Sequence, residues 1–175
     1  MKRTRKKWFM YTVVALLILW PLLQIAELLG AKAPQEPAEK LLYQVSLFQM
    51  ERLNSYLLES TESQNTEELN ALRQALYSAQ FAHGHLALAY GEEEMSPLSS
   101  LQTLMQYLLR LQVGGSRPLK PDELQTLAAA GRLYGELYAS YGELVSSNGS
   151  IAGSKNDRMA EADEALTEFL KKKLP

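Results

Sequence analysis

A long apolar run near the N-terminus constrains this chain more than any other feature. Residues 8–29 read WFMYTVVALLILWPLLQIAELL, and no charge interrupts them before Glu27. About 20 apolar residues in a helix cover the roughly 30 Å hydrocarbon layer of a bilayer, because each residue adds about 1.5 Å. Trp8 and Trp20 lie toward the two ends of the run, and indole rings favour the headgroup region. The run therefore predicts one transmembrane helix that anchors the chain in a lipid bilayer.

The charges that flank this run predict its orientation. Residues 1–7 contain five cations, and no such cluster follows the apolar run: Lys2, Arg3, Arg5, Lys6 and Lys7. Because basic flanks stay inside, residues 1–7 are predicted to be a cytoplasmic tail, with everything after Gly30 outside. The alternative is a signal peptide and a protein secreted after cleavage near Ala33, within a small-x-small site. The anchor is favoured because the run exceeds the roughly 7–15 apolar residues of a signal peptide.

The remaining chain has the size and charge of one exported domain. Without the five N-terminal cations and Glu27, 13 basic and 19 acidic residues remain, a net charge of −6. Binding to nucleic acid requires a basic face, so no nucleic-acid partner is expected. The chain contains no cysteine, which excludes disulfides, thiolate metal ligands and cysteine nucleophiles. An exported domain without disulfides indicates a bacterial envelope.

This domain has the periodicity of helices. Residues 30–37 include two prolines, which favour extended backbone and predict a short spacer. From residue 38 to 146, apolar side chains recur at steps of three and four in four segments, which predicts an extracytoplasmic bundle of antiparallel neighbours. Residues 147–154 predict a flexible linker, and residues 155–175 a C-terminal helix. The predicted fold class is all-α: a single transmembrane helix followed by an antiparallel four- to five-helix bundle.

Apolar stripes indicate which faces of these helices pack. The first segment has the stripe Leu41, Leu42, Val45, Phe48, Leu53, Tyr56 and Leu57. The second has the stripe Leu69, Leu72, Leu76, Ala79, His83, Leu86 and Tyr90. The third segment, residues 97–113, is apolar on most sides and is expected to be central or covered on several sides. The C-terminal helix either docks on the bundle or lies in a partner's groove, through Met159, Ala162, Leu166, Phe169 and Leu170.

Local signals predict two helix starts and one close helix contact. Thr66 is expected to cap the second helix and Ser96-Pro97 to start the third, because capping hydroxyls and N-terminal prolines favour helix starts. The fourth helix has a face of small residues: Ala128, Gly131, Gly135, Ala139 and Gly142. Each glycine costs about 1 kcal/mol in a helix interior, so another helix is expected to approach this face closely. The expected neighbour is the alanine face of the second helix: Ala71, Ala75, Ala79 and Ala82.

Two histidines and an acidic run are the clearest polar signals. His83 and His85 point about 200° apart on a helix, and no carboxylate lies three or four residues from either, so no metal site is predicted. His83 lies on the apolar stripe, which indicates a hydrogen-bonded core histidine or, alternatively, a pH sensor. Residues 92–94 are three glutamates without the alternating ligands of a calcium loop, and are expected to be solvated.

The sequence contains no motif that indicates catalysis. It has no G-x-S-x-G, no H-E-x-x-H and no phosphate-binding glycine loop. We therefore expect no enzymatic activity, no catalytic, metal-binding or cofactor-binding residue, and no cofactor. Tyr134, Tyr138 and Tyr141 follow one another along the fourth helix, where they either pack against a neighbour or form a binding face.

The start of the fourth helix provides a family resemblance. Residues 117–124 read RPLKPDEL. With the N-terminal anchor and the helices after it, the layout over residues 66–145 resembles the N-terminal part of the YpeB-like spore-germination membrane proteins. Those proteins also have C-terminal domains, which have no counterpart in this sequence. The resemblance implies a non-enzymatic partner protein at a spore envelope, and it transfers no functional residue.

These features together predict a membrane-anchored interaction or scaffolding module. An acidic helical bundle outside the cytoplasm, without a catalytic pattern, is expected to bind another envelope protein. The alternative is a small-ligand or pH-sensing bundle with a pocket between helices near His83 and residues 134–141. A third hypothesis is a hydrolase of envelope polymers, which requires paired carboxylates in a cleft.

Overall fold

Five α-helices form the part of the chain that the computed structural model describes, residues 38–91 and 93–174. They are α1 Ala38–Glu59, α2 Asn70–Tyr90, α3 Ser99–Gln112, α4 Pro121–Tyr141 and α5 Gly153–Lys171, with a 3₁₀ turn at Ser60–Glu62 after α1. The predicted all-α class is confirmed. Within the described ranges, no helix is long and apolar enough to span a bilayer. The predicted tail, anchor and spacer, residues 1–37, lie outside those ranges.

The helices pack as a closed ring around one core. α1 contacts α2 and α4, α5 lies between α4 and α3, and α3 packs against α2. Because an odd number of helices cannot alternate in direction around a ring, one neighbouring pair has to be parallel. That pair is α3 and α5: Ser99 N donates to Asp163 at 3.0 Å near the start of α3, and Arg110 donates to the carbonyl of Lys173 at 2.7 Å near its end. The predicted antiparallel bundle is wrong for this pair.

The apolar stripe of α2 packs as predicted, whereas that of α1 does so only in its second half, where Leu53 and Leu57 are buried. Six of the seven predicted α2 residues are buried, and Tyr90 is half-buried. In α1, Leu41, Val45 and Phe48 are 50%, 53% and 55% exposed. The residues of α1 that face the core are Tyr43, Ser46, Met50, Leu53 and Leu57. The first half of α1 is apolar on two opposite sides, so spacing alone did not distinguish the buried side.

The small face of α4 packs against α1, and the predicted contact with the alanine face of α2 is wrong. A Cβ atom added at Gly131 would lie 3.9 Å from the Cβ of Leu57 in α1, which is ordinary van der Waals contact. The alanine face of α2 also packs against α1, where Ser46 Oγ donates to the carbonyl of Ala82 at 3.0 Å. The small faces of α2 and α4 therefore both allow α1 to approach closely.

α3 is amphipathic rather than central. Its buried side chains lie along one side: Ser100, Leu101, Thr103, Leu104, Tyr107, Leu108 and Leu111. Leu109 is 47% exposed, and Val113, just past the helix, is 75% exposed. The prediction of a helix covered on most sides was wrong because α3 is a member of the ring, with solvent on its outer side.

α2 begins later than the predicted cap at Thr66. The side chain of Asn65 accepts hydrogen bonds from the backbone N–H groups of Glu67 and Glu68 at 3.0 and 3.2 Å, so Asn65 organises the turn before the helix. The Thr66 hydroxyl instead donates to the carbonyl of Gly115 at 3.0 Å. Thr66 therefore joins two loops instead of capping a helix.

The C-terminal helix docks on the bundle. Met159, Leu166 and Leu170 of α5 are fully buried in the common core. Residues 147–154, predicted as a flexible linker, form a hydrogen-bonded turn in which Ala152 N donates to the carbonyl of Leu144 at 2.8 Å. α5 then begins at Gly153, two residues before the predicted start. Of the two positions proposed for this helix, the structure shows the docked one.

Candidate functional site

His83 is a buried, hydrogen-bonded histidine in the wall between α2 and α3. It is 5% exposed, with Nε2 at 3.2 Å from the carbonyl oxygen of Ser96 and Nδ1 at 3.3 Å from the hydroxyl of Tyr141. A carbonyl oxygen only accepts hydrogen bonds, so Nε2 carries the proton and the Tyr141 hydroxyl donates to Nδ1. This arrangement agrees with the core histidine predicted from the apolar stripe.

Burial determines the charge of this histidine. It lowers the pKa of His83 from 6.5 to about 4, because the imidazolium form loses its hydration in the core. The carbonyl of Ser96 opposes this effect without cancelling it. His83 is therefore neutral at pH 7, and its titration lies well below the range in which an unperturbed histidine acts as a pH sensor.

The predicted tyrosine stripe consists mainly of core residues. Tyr134 and Tyr141 are fully buried, and burial raises the pKa of both phenols. The Tyr134 hydroxyl donates to the carbonyl of Met50 at 3.1 Å, and the hydroxyl of Tyr43 donates to the carbonyl of Tyr141 at 2.9 Å. These hydrogen bonds join α4 to α1. The packing interpretation of this stripe is therefore correct, and the binding-face interpretation is wrong for Tyr134 and Tyr141.

The start of α3 is capped by α5 rather than by Ser96. Asp163 accepts hydrogen bonds at 3.0 Å from the backbone N–H groups of Ser99 and Ser100, and it also binds the Ser100 hydroxyl. Two turns earlier on α5, Asn156 accepts from Ser96 N at 3.0 Å. Burial raises the pKa of Asp163, while the hydrogen bonds from Ser100 and Ser99 oppose this effect. No signal near residue 96 indicated this cap, because its acceptor comes from a distant helix.

A cavity of about 500 Å³ adjoins His83. It lies between α2 and the loop that leads into α3, and Gly84 of the exposed side of α2 is at its edge. The lining residues are Gln80, His83, Gly84, Ala87, Met95, Pro97, Leu98 and Leu101, most of them apolar. Its volume is in the range of small-molecule pockets, roughly 300–1,000 Å³. The prediction also included residues 134–141, but Tyr134 and Tyr141 are fully buried in the core and do not line this cavity. The part of the prediction that placed a pocket at His83 is correct.

The segment that carries the family resemblance starts α4. Arg117 donates to the two carboxylate oxygens of Glu123 at 2.8 and 2.7 Å, and Lys120 N donates to the same carboxylate at 2.9 Å. The hydrogen bond from Arg117 is the main reason why the pKa of Glu123 is lowered. Pro121 occupies the first helical position, where its fixed φ suits a helix start. Residues 117–124 are thus explained by the local physics of a helix start.

Two rows of large apolar side chains lie on the outside of α1 and α2. The α1 outer stripe consists of Leu41, Val45 and Phe48; the α2 outer stripe consists of Tyr77, Phe81, Gly84 and Leu88. The three large residues of the α2 outer stripe are 65%, 57% and 64% exposed. Successive residues of an α-helix are 100° apart around its axis. Each stripe therefore covers about 60° of the helix circumference, opposite the buried side of its helix. The core therefore does not account for either stripe.

The helix segments that carry the two stripes contain no formal charge. Residues 41–50 and 74–91 include no Asp, Glu, Lys or Arg, although the protein has 38 such residues. On α2 the exposed rings are also ordered: Tyr77 stacks on Phe81 with centroids 6.5 Å apart, and Phe81 meets His85 edge-on at 4.2 Å. Single exposed apolar residues are common on protein surfaces. A contiguous row of exposed apolar residues without charges is typical of an interaction site.

Gly84 makes a notch in the α2 outer stripe. It is exposed, it lies in a helix interior, and a Cβ atom added there would meet nothing within 4 Å. A glycine at such a position costs about 1 kcal/mol relative to alanine. No neighbour in the described part of the chain lies within 4 Å of this open position, whereas Gly131 lies against Leu57 of α1.

Comparison of the chain with protein-family models, with curated proteins and with solved structures finds no match. The resemblance to the YpeB-like proteins is therefore still a prediction. Within residues 38–91 and 93–174, no group of three or more His, Asp or Glu side chains is arranged to hold a metal ion. The two outer stripes and the cavity beside His83 are the features from which a function is argued below.

Proposed function

We propose that this protein is a non-enzymatic, membrane-tethered interaction module that binds another envelope protein through the α1 outer stripe. The observation that supports it is the exposure of Leu41, Val45 and Phe48 on the side of α1 that faces away from the core. Hydration of these side chains costs free energy that polar residues there would avoid, since burying apolar area yields roughly 25 cal/mol per Å². A partner that covers the stripe recovers this free energy.

The predicted anchor determines where this partner is found. In the proposal, residues 8–29 span the cell membrane once, residues 1–7 remain in the cytoplasm, and the helical domain lies outside. Residues 30–37 are the predicted spacer between this anchor and the helical domain. The α1 outer stripe follows this spacer directly in the chain, and a partner in or near the same membrane can reach it.

Site-specific crosslinking on intact membranes tests this proposal. A photoreactive amino acid at Val45 is expected to capture a reproducible partner, which mass spectrometry then identifies. The variant Val45→Gln/Phe48→Gln should lose this partner in a pull-down from solubilised membranes. The control variant Leu109→Gln/Val113→Gln alters exposed apolar residues on α3 and should retain it. A partner retained equally by both variants, or no reproducible partner, would refute the proposal.

The cavity beside His83 supports a second candidate function, binding of a small apolar ligand. Its lining includes Met95, Leu98 and Leu101, and His83 provides a polar group in its wall. Native mass spectrometry of the protein purified from membranes is expected to show a retained small molecule. Ala87→Trp fills the cavity and should abolish the retained mass, whereas Ala89→Trp, on the exposed side of α2, should preserve it. An unliganded mass for the wild type would remove this candidate.

The hydrolase hypothesis receives no support from the buried carboxylates. Among the residues that the structure describes, the buried carboxylates are Glu123 and Asp163. Glu123 is paired with Arg117, and Asp163 caps α3 through Ser99 and Ser100. Both have structural roles, so the proposal remains a non-enzymatic one.

A further inference from the structure

We propose that the α2 outer stripe binds a second copy of this chain, as an antiparallel pair of α2 helices around a two-fold axis. This inference concerns a different surface from the α1 outer stripe and goes beyond the proposed partner. It holds or fails independently of whether that partner exists.

The spacing of the stripe is its own mirror image. Tyr77, Phe81, Gly84 and Leu88 follow at steps of four, three and four, the alternation with which packed helices present a contact row. A two-fold axis perpendicular to α2 and midway between Ala82 and His83 would relate the two copies. It places position 77 of one copy opposite position 88 of the other, and position 81 opposite position 84. Such a self-matching surface is what a two-fold homodimer requires, because the same patch serves both copies.

The sizes of the side chains also match across this axis. Phe81 of one copy lies opposite Gly84 of the other, so a large ring meets the notch left by a missing side chain. Tyr77 of one copy lies opposite Leu88 of the other. The contact row therefore combines pairs of a large and a small residue with pairs of two large residues. This geometry gives Gly84 the neighbour that it lacks within its own chain, where a Cβ would meet nothing within 4 Å. Glycine at a contact allows two helix backbones to approach closely.

Charge favours a second copy over an anionic bilayer. Two copies of the acidic domain repel each other through most surfaces, but residues 74–91 contain no Asp, Glu, Lys or Arg. The two uncharged segments themselves therefore bring no like charges together. A surface that binds anionic lipid headgroups typically has several lysines or arginines at its rim, whereas α2 provides only Arg73, one turn before Tyr77.

The absence of cysteine from the sequence permits a direct test on the full chain. Two differently tagged copies, one with Tyr77→Cys and one with Leu88→Cys, are co-expressed and oxidised in isolated membranes and again in detergent. The proposed axis predicts a strong crosslink between Cys at 77 and Cys at 88. Two copies of Tyr77→Cys should crosslink weakly, because their positions are offset by about 16 Å along the helix. Leu109→Cys, on the exposed side of α3, measures the background.

A 77-to-88 crosslink well above the Leu109→Cys background and above the 77-to-77 and 88-to-88 crosslinks supports the inference. A 77-to-88 yield that does not exceed all three overturns it, whether the cause is a parallel pair, another partner or no pair.

A second variant keeps the test independent of folding. Gly84→Leu fills the notch at a position with open space in the folded chain, so its thermal unfolding by circular dichroism should match the wild type or exceed it. In the Tyr77→Cys and Leu88→Cys background, the crosslink should fall about tenfold or more, as expected when a central contact is blocked. An unchanged crosslink in this variant would overturn the proposed axis.

Discussion

The burial of His83 makes the stability of the domain depend on pH in a predictable way. In the folded state the pKa of His83 is lowered from 6.5 to about 4, whereas in the unfolded state it returns to its ordinary value. Between these pH values the unfolded chain binds a proton that the folded chain does not. The free energy of unfolding therefore falls as the pH falls from about 6.5 toward 4, and above pH 6.5 the contribution is complete.

The size of this effect follows from the two pKa values. One pKa unit corresponds to about 1.4 kcal/mol, so lowering from 6.5 to about 4 corresponds to a loss of about 3 kcal/mol at pH 4. Against a total stability of roughly 5–15 kcal/mol for a domain, this loss is large enough to measure. Carboxylates also titrate near the lower end of this range, so a matched variant is needed to isolate the histidine.

His83→Gln provides this comparison. A glutamine amide can still donate to the carbonyl of Ser96 but does not titrate. Urea unfolding of the full chain in detergent should be followed by circular dichroism at several pH values from 7.5 to 4. Tryptophan fluorescence does not report on the domain, because the only tryptophans are Trp8 and Trp20. The wild type should lose about 3 kcal/mol more than His83→Gln between pH 7 and 4. Equal losses in both proteins would refute the reasoning.

Three further perturbations test the cap, the backbone and the topology. Asp163→Ala removes the cap of α3 and leaves the backbone N–H groups that Asp163 binds without an acceptor. Urea unfolding should therefore show a free energy of unfolding lower by about 1–3 kcal/mol. The control Glu164→Ala changes an exposed neighbour and should have little effect. Gly84→Ala should raise the free energy of unfolding by about 0.5–1 kcal/mol because its conformation is helical, whereas Gly91→Ala should lower it because Gly91 has a φ of 105°. With a tag at Pro175, external protease should remove the tag from intact cells and leave a membrane-bound N-terminal fragment; a protected tag would contradict the predicted topology.

The sequence by itself determined which segments are helical. Apolar recurrence at three and four residues is a local property, so it located the five helices of residues 38–91 and 93–174 and the buried stripe of α2. The end of α2 at Gly91 is likewise a local feature, because the positive φ that this position adopts favours glycine. The character of His83 followed from its place within the α2 stripe for the same reason.

Other features depended on contacts between segments that are distant in the chain. The cap of α3 is Asp163, on a helix that comes 63 residues later, and no pattern near Ser100 specifies it. The sequence also did not show that Leu41, Val45 and Phe48 point outward. Both sides of α1 are apolar, and only the packing of Met50 and its neighbours determines which side is buried. Closure of five helices into a ring also set α3 and α5 parallel.

The candidate surfaces belong to this second group. A helical pattern shows that a residue lies on a stripe, but only the assembled core shows whether that stripe is covered. Gly84 illustrates the difference: in the sequence it separates two histidines, and in the tertiary structure it is an open notch between Phe81 and Leu88. Secondary structure is set by neighbours along the chain, whereas exposure is set by neighbours in space. The helices of the described residues could therefore be inferred from the sequence, whereas the exposure of the two stripes became visible only in the tertiary structure. The anchor remains a prediction.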